Sequence, residues 1–250
     1  MKCIILCAGY ATRLYPLTEN FPKALLEIED GKPLLNYTIE SINKIDDIDE
    51  IFLVTNDRFC EKFEEWANRL SNIKKITVIN DHTIDNESRL GAIGDIQYTI
   101  NSQNIYDDIL IILGDNLFDF DLIQLIDSYK SKGTPIVGGQ LENDEELLTR
   151  LGVIEVDNTQ RIIGFEEKPR YPKGNIKSLG IYLYPKEVIL LLKQYLEEGN
   201  RPDAPGHFLN YLYQKEPVYV YPFDGNWFDV GTCEALEEVR NIYDSKKTKR

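Results

Sequence analysis

Two cations and a glycine near the N-terminus have the types and spacing to hold a polyphosphate. The run Leu6-Cys7-Ala8-Gly9-Tyr10-Ala11-Thr12-Arg13-Leu14-Tyr15-Pro16-Leu17-Thr18 follows a β-rich stretch, Lys2 to Cys7, and Pro22-Lys23 closes it. Backbone N–H groups of a small-residue loop after a strand form an anion-binding concavity. Arg13 can fork onto phosphate oxygens, whereas Lys23, ten residues on, acts as a point charge. On spacing alone, a tight turn with a solvated arginine would read the same way. Farther along, the apolar run Ile109 to Leu113 ends in Gly114-Asp115-Asn116, the pattern of a central strand delivering a carboxylate to a crevice, though also that of a cap or turn. Glu166-Glu167-Lys168 sits at another strand end, where a solvated terminus is the plain alternative.

Positioning these residues requires a scaffold, and the hydrophobic periods supply one. Ala24 to Ile28 reads as a short strand, and Leu34 to Ile45 as a helix with Leu34, Leu35, Ile39 and Ile42 on one face. Glu50 to Thr55 and Lys75 to Asn80 read as strands around a helix from Asp57 to Leu70. The polar stretch Asp81 to Arg89 is a loop before a helix over Leu90 to Asn101, and Asp121 to Lys132 is another helix. Strand alternating with helix predicts parallel pairing, right-handed crossovers and a crevice at the carboxyl ends of the strands.

Beyond Lys132 the pattern shifts to short strands, Pro135 to Leu141, Leu151 to Val156 and Ile162 to Glu166, which predict a smaller, mixed-sheet half. A helix over Lys186 to Tyr195, a strand over Val218 to Phe223 and a closing helix over Glu234 to Tyr243 follow, with a charged tail from Asp244 expected to fray.

Composition narrows the function classes. Of 250 residues, 42% are apolar and 28% charged, as in ordinary globular chains. A formal charge of −14 argues against nucleic acid or an anionic membrane as partner, since either calls for a basic face. No apolar run nears the roughly 20 residues of a membrane span, and Met1-Lys2-Cys3-Ile4 enters a strand rather than a signal peptide. Cys3, Cys7, Cys60 and Cys233 show no C-x-x-C spacing and read as reduced thiols, so the expected compartment is the cytoplasm. Neither His82 nor His207 has a setting that gives it a role.

The string L-C-A-G-Y-A-T-R-L-Y-P-L-T-x-x-x-P-K resembles the signature L-A-G-G-x-G-T-R-L-x-P-L-T-x-x-x-P-K of the sugar-phosphate nucleotidyltransferases, especially the glucose-1-phosphate thymidylyltransferase group. Ala8 and Ala11 stand where that pattern has glycine, and Ala11 must therefore avoid positive φ or carry strain. Gly114-Asp115-Asn116-Leu117-Phe118, Gly164 to Pro169 and Trp227-Phe228-Asp229-Val230-Gly231-Thr232 are similar to further motifs of the family.

The resemblance implies a Rossmann-like three-layer α/β sandwich around a central, mostly parallel sheet. It divides the chain into a catalytic domain over 1–232, with a nucleotide-binding half to about 132 and an acceptor-binding half beyond it, and a C-terminal helix and tail over 233–250. It implies Asp115 and Asp229 as Mg²⁺ ligands, and Arg13, Lys23 and Lys168 as catalytic cations. Ala8, Gly9, Thr12, Asn86 and Gly91 would bind nucleotide; Gly152, Glu167 and Lys168 would bind the second substrate. Asn86 stands where the family has a glutamine, one methylene longer, and Asp203 to Asn210 replaces the family's E-I-T-D segment. Longer members add a C-terminal β-helix or regulatory helices, and none is expected here.

These residues call for one reaction: a sugar 1-phosphate oxygen attacks the α-phosphorus of a nucleoside triphosphate and expels pyrophosphate. A phosphate monoester is already ionised at neutral pH, so no general base is required. Asn86 can pair with the O4/N3 edge of thymine or uracil, which favours dTTP or UTP. The rivals are a cytidylyl- or guanylyltransferase acting on phosphocholine or another phosphate monoester, and a non-catalytic nucleotide-sugar-binding regulatory subunit. The partners implied are the triphosphate and the phosphate monoester, with a homo-oligomer left open.

Overall fold

The computed structural model describes residues 1–71 and 73–247. Its strands are β1 (Lys2–Leu6), β2 (Glu27–Glu29), β3 (Lys32–Pro33), β4 (Glu50–Thr55), β5 (Lys75–Asn80), β6 (Ile109–Leu113), β7 (Asn116–Phe118), β8 (Ile136–Leu141), β9 (Gly152–Val156), β10 (Ile162–Glu167), β11 (Ile176–Tyr184), β12 (Tyr219–Pro222) and β13 (Trp227–Asp229). The helices are α1 (Leu34–Asn43), α2 (Cys60–Arg69), α3 (Ala92–Ser102), α4 (Ile123–Lys132), α5 (Glu145–Leu148), α6 (Val188–Glu197), α7 (Pro205–Leu212) and α8 (Cys233–Lys247).

Four strands run parallel in the order β5-β4-β1-β6. β11 joins β6 antiparallel, β8 lies antiparallel on the far side of β11, and β12 lies parallel beside β8. In that row only β11 runs the other way. The β9–β10 hairpin extends the same sheet beside the first residues of β11. The strands of the expected smaller half thus continue the one sheet.

Period-two alternation explains the layers. On β1, Cys3 and Ile5 join one buried cluster while Ile4 and Leu6 join another. Ile51 and Leu53 against Phe52 and Val54 on β4, and Leu110 and Ile112 against Ile109 and Ile111 on β6, divide the same way. Strands buried on both faces read as continuous apolar runs, which is why Ile109 to Leu113 has no polar break. α1, α2 and α4 cover the first face; α3, α6 and α7 cover the second. At 25 cal/mol per Å², burying such a Leu or Ile contributes roughly 1.5–3 kcal/mol. A third cluster, with Leu26, Leu34, Leu117, Val230, Leu236 and Val239, seats α8 against β2, β7 and β13. Among the described residues, no helix is long and apolar enough to cross a membrane.

Three local expectations change. Ala24 to Ile28 is a 3-10 turn over Lys23–Leu25 followed by β2, because Pro22 and a Leu26 N–H donating to the Lys23 carbonyl turn the chain so that Lys23 points inward. α2 starts three residues later than Asp57, since Asn56 Oδ1 accepts the Phe59 N–H and holds that stretch as a turn. α8 continues to Lys247 through the stretch expected to fray, and the last three residues lie outside the described residues.

Candidate active site

Strand register builds the site. Leu6 pairs with both Val54 and Leu113, so Cys7-Ala8-Gly9, Asn56 and Gly114-Asp115 leave the sheet at one edge. The Gly114 N–H donates to the Leu6 carbonyl at 3.0 Å, and Asn56 Nδ2 donates to the Ala8 carbonyl at 2.9 Å, which ties the loop to its neighbours on both sides. A side chain at Gly114 would overlap Cys7 Sγ and crowd the Leu6 carbonyl, so glycine is what lets β6 deliver Asp115 this close to β1.

Asp229 arrives by a different route. β13 pairs antiparallel with β7 and sets Asp229 opposite Asn116, next to Asp115. Asn116 Nδ2 and Trp227 Nε1 both donate to the Leu179 carbonyl, at 3.0 and 3.1 Å, pinning the ribbon to β11. Sequence periodicity had no purchase on this two-stranded ribbon of three-residue strands.

Between the two carboxylates lies Lys23. Its Nζ is 2.9 Å from Asp115 Oδ2 and 3.8 Å from Asp229 Oδ1. The lysine is 9% exposed while the acids' side chains are 44% and 41% exposed, so the ammonium sits behind them and their open sides face the cleft. Burial and the neighbouring Asp115 charge raise the Asp229 pKa, against Lys23, Arg13 and Lys168, which lower it. Arg13 Nη2 and Asp229 Oδ1 each lie 3.3 Å from where a Cβ at residue 231 would stand, so Gly231 leaves room for that pair.

The loop carries strain. Ala11 takes left-handed φ 47°, ψ 42°, a conformation that costs a non-glycine residue about 1–2 kcal/mol. Thr18, fully buried, holds it there by donating Oγ1 to the Ala11 carbonyl at 2.8 Å. Thr12 and Arg13 begin the short 3-10 turn that follows. At Gly9, by contrast, φ is ordinary and nothing lies within 4 Å of an added Cβ, so its face is open to a ligand.

Along another wall of the cleft, Glu167 pairs with Gly152, and Lys168, at φ 49°, donates its N–H to the Leu151 carbonyl at 3.0 Å. Burial raises the Glu167 pKa, opposed by Lys168 and His207. The space above Gly152 is bounded by the Phe165 ring and by Glu167 Oε2, 3.3 Å from an added Cβ. Gly206 meets the same carboxylate, at 2.5 Å from an added Cβ, so both glycines shape the pocket around Glu167.

On the opposite side, Gly91 takes φ 80° and lies 2.6 Å, by its would-be Cβ, from the Pro202 carbonyl. The first N–H groups of α3, on Ala92 and Ile93, donate to the carbonyls of Asp203 and Pro202 at 3.1 and 2.9 Å. Asn86 Oδ1 accepts from Arg89, whose other terminal nitrogen is 3.5 Å from Asp203 Oδ1.

All twelve residues singled out from sequence line one cleft of about 480 Å³: Ala8, Gly9, Thr12, Arg13, Lys23, Asn86, Gly91, Asp115, Gly152, Glu167, Lys168 and Asp229. That volume suits a small-molecule site. Neither histidine lines it. Residues 203–206 of the segment marked in the sequence as a replacement line the cleft as well; sequence reasoning missed Asn56, which holds the loop, and the buried acid Asp95 on α3. Asp95 did leave a signal, an acid on the helix face that carries Ile96 and Thr99.

A doubly covered, mostly parallel sheet with a glycine-containing loop and paired carboxylates at its strand ends defines a class of α/β fold. Within it, the chain belongs to the nucleotidyl transferase family, whose pattern it matches over residues 2–246. It is 32% identical over 254 residues to the bifunctional protein GlmU of Methanocaldococcus jannaschii, covering 99% of this chain and 56% of that one. A glucose-1-phosphate adenylyltransferase of Bacillus subtilis is 27% identical over 256 residues, 95% of this chain and 66% of the relative. The chain thus spans somewhat over half the length of these relatives. In fold it is similar to a UDP-glucose pyrophosphorylase crystallised with UDP-glucose, with a TM-score of 0.84, 22% identity and 98% of each chain covered.

Proposed function

We propose that this chain transfers a nucleotidyl group from a nucleoside triphosphate to a sugar 1-phosphate, releasing pyrophosphate and leaving a nucleotide diphosphate sugar. The observation that carries this reading is the meeting of Asp115 and Asp229 with Arg13, Lys23 and Lys168 in one cleft. Both substrates are anions that repel, so catalysis is positioning plus charge neutralisation. An oxygen of the sugar phosphate attacks the α-phosphorus in line; that P–O bond forms as the bond to the β-phosphate oxygen breaks. Lys168 orients the attacking phosphate, and Arg13 and Lys23 stabilise charge on the triphosphate and departing pyrophosphate. The loop at Ala8, Gly9 and Thr12 cradles the phosphates. No proton need be abstracted, since a phosphate monoester loses its second proton near pH 6.

The carboxylates fit a hard divalent cation. They are two oxygen donors, half exposed on the cleft side, with an ammonium already between them. No third acid, histidine or cysteine completes a cage among the described residues, which suits an ion that keeps waters and phosphate oxygens as its other ligands. Asp115 and Asp229 would hold Mg²⁺, which when bound supplies positive charge to the phosphate oxygens.

Gly152 and Glu167 take the sugar hydroxyls, and Asn86 and Gly91 take the base, with dTTP or UTP as donor. The nucleotide half is then about 1–132 and the acceptor half about 133–232. All four cysteines are free, which fits the cytoplasm. The replaced acceptor segment is now α7, whose Gly206 borders Glu167, and this keeps a smaller phosphate monoester as the second reading. A pyrophosphate-release screen crossing the common nucleoside triphosphates with glucose 1-phosphate, mannose 1-phosphate and phosphocholine tests both. Release with a sugar phosphate is expected, release with phosphocholine alone moves the chain to the second reading, and silence throughout removes both.

A further inference from the structure

At the nucleotide end, the cleft wall holds a pair of acids that the transfer chemistry does not use. Asp81 follows β5 directly and Asp95 lies in the first turn of α3; they are 5% and 6% exposed. Asp81 Oδ1 accepts from the Thr83 N–H and hydroxyl, each at 2.7 Å. Asp81 Oδ2 and Asp95 Oδ1 are buried and take no hydrogen bond from any donor, and the two side chains are near enough to act on each other's charge. Two buried acids side by side, each with an oxygen that no donor reaches, are satisfied by one shared proton, so one of the pair is a neutral acid. Asp81 already has two donors, which favour its charged form; Asp95 has none and carries the proton. With that proton on Oδ1 toward Asp81, the second oxygen of Asp95 is a carbonyl, an acceptor only. Asp95 lines the cleft together with Asn86 and Gly91.

Resting on the nucleotidyl-transfer reading above, we propose that Asp95 reads the nucleobase by accepting the ring N–H of uracil or thymine (N3) or guanine (N1), with Asp81 as the residue that positions it. Cytosine and adenine carry a bare ring nitrogen at that edge. It would face the carbonyl oxygen lone pair to lone pair, and a buried acceptor would be left unpaired. A donor amide at Asn86 would complete the match to the adjacent O4 or O6. The acid is what makes the reading one-sided: a hydroxyl or a freely turning amide could serve either edge, whereas a carbonyl whose partner oxygen is locked by a proton cannot.

UTP and CTP share ribose and triphosphate and differ only at this edge, so equilibrium binding of the two to wild type, Asp95→Leu and Asp95→Asn tests the inference without turnover. Wild type is expected to prefer UTP by about 10-fold or more, the scale of one buried hydrogen bond and its unpaired alternative. Asp95→Leu should bring the two within about 3-fold, the residue of that same difference. Asp95→Asn should keep the preference, because its amide N–H can donate to Asp81 Oδ2 as the acid does and leave the carbonyl to the base. Equal binding by wild type, a preference for CTP, a preference surviving in Asp95→Leu, or one lost in Asp95→Asn each overturns the assignment while leaving the transfer reading intact. Failure of wild type to bind any nucleoside triphosphate overturns that reading and this inference with it.

Discussion

Asp115 and Asp229 are held close together with one buried lysine between them, an arrangement that favours cation binding at the expense of the resting protein. Removing either charge relieves repulsion that Lys23 only partly offsets, since Asp115 already raises the Asp229 pKa. Asp115→Asn and Asp229→Asn should therefore lose most turnover while the melting temperature holds or rises. Near wild-type turnover in either variant would sink the metal-ligand assignment. Arg13 stands in the opposite condition, exposed on the cleft side, and on the proposed reading it meets phosphate charge only when substrate is bound. Arg13→Ala should lower kcat by about 100-fold or more if the guanidinium acts on the transition state. A rise in KM alone would make it a binding residue. The cations and acids were legible because their chemistry is local to a motif. Asp95 left only the weak signal of an acid on an apolar helix face, because its surroundings are set by Asp81, just past β5, which it meets across the fold.

At the level of elements, the site depends on how near two parallel strands can end. Gly114 is the contact point, and Gly114→Ala would drive a methyl into Cys7 Sγ and the Leu6 carbonyl. Overpacking of this kind costs about 1–3 kcal/mol, and here it also moves the residue that carries Asp115. The expected result is a lower melting temperature with a larger loss of activity. Adding Cys7→Ala should return part of the stability, because the sulfur is the worse of the two contacts. Full additivity of the two substitutions would show that they do not share this contact. The long strands and helices were readable from period alone, as with Ile109 to Leu113. The β7–β13 ribbon was not, since three-residue strands carry too few positions for any period, and the Lys23 turn was hidden because an apolar run reads alike in a strand or a buried turn.

For the molecule as a whole, the buried Asp95 beside Asp81 makes stability depend on pH. Burial, with the Asp81 charge beside it, pushes Asp95 from 3.8 up to about 8. Across that window the native state keeps a proton that the unfolded chain has released, so stability falls as pH rises and levels off above it. Asp95→Asn removes the titration, and its melting temperature relative to wild type should climb between pH 5 and pH 8.5. Parallel curves for the two proteins would show that Asp95 is ionised in the native state.

The carbonyls of Pro202 and Asp203 that receive the first N–H groups of α3 have a consequence for how such a protein can change. The stretch just ahead of α7 is the foundation on which Gly91 and the start of α3 stand, with only 2.6 Å between a would-be Gly91 Cβ and the Pro202 oxygen. If Gly91 contacts the base and 203–206 the second substrate, as proposed, a lineage that exchanges the one should disturb the other in the same stroke, and the two specificities drift together. Anyone grafting a foreign acceptor loop into 201–206 would have to transplant 89–95 with it, or accept a catalyst that has forgotten its base.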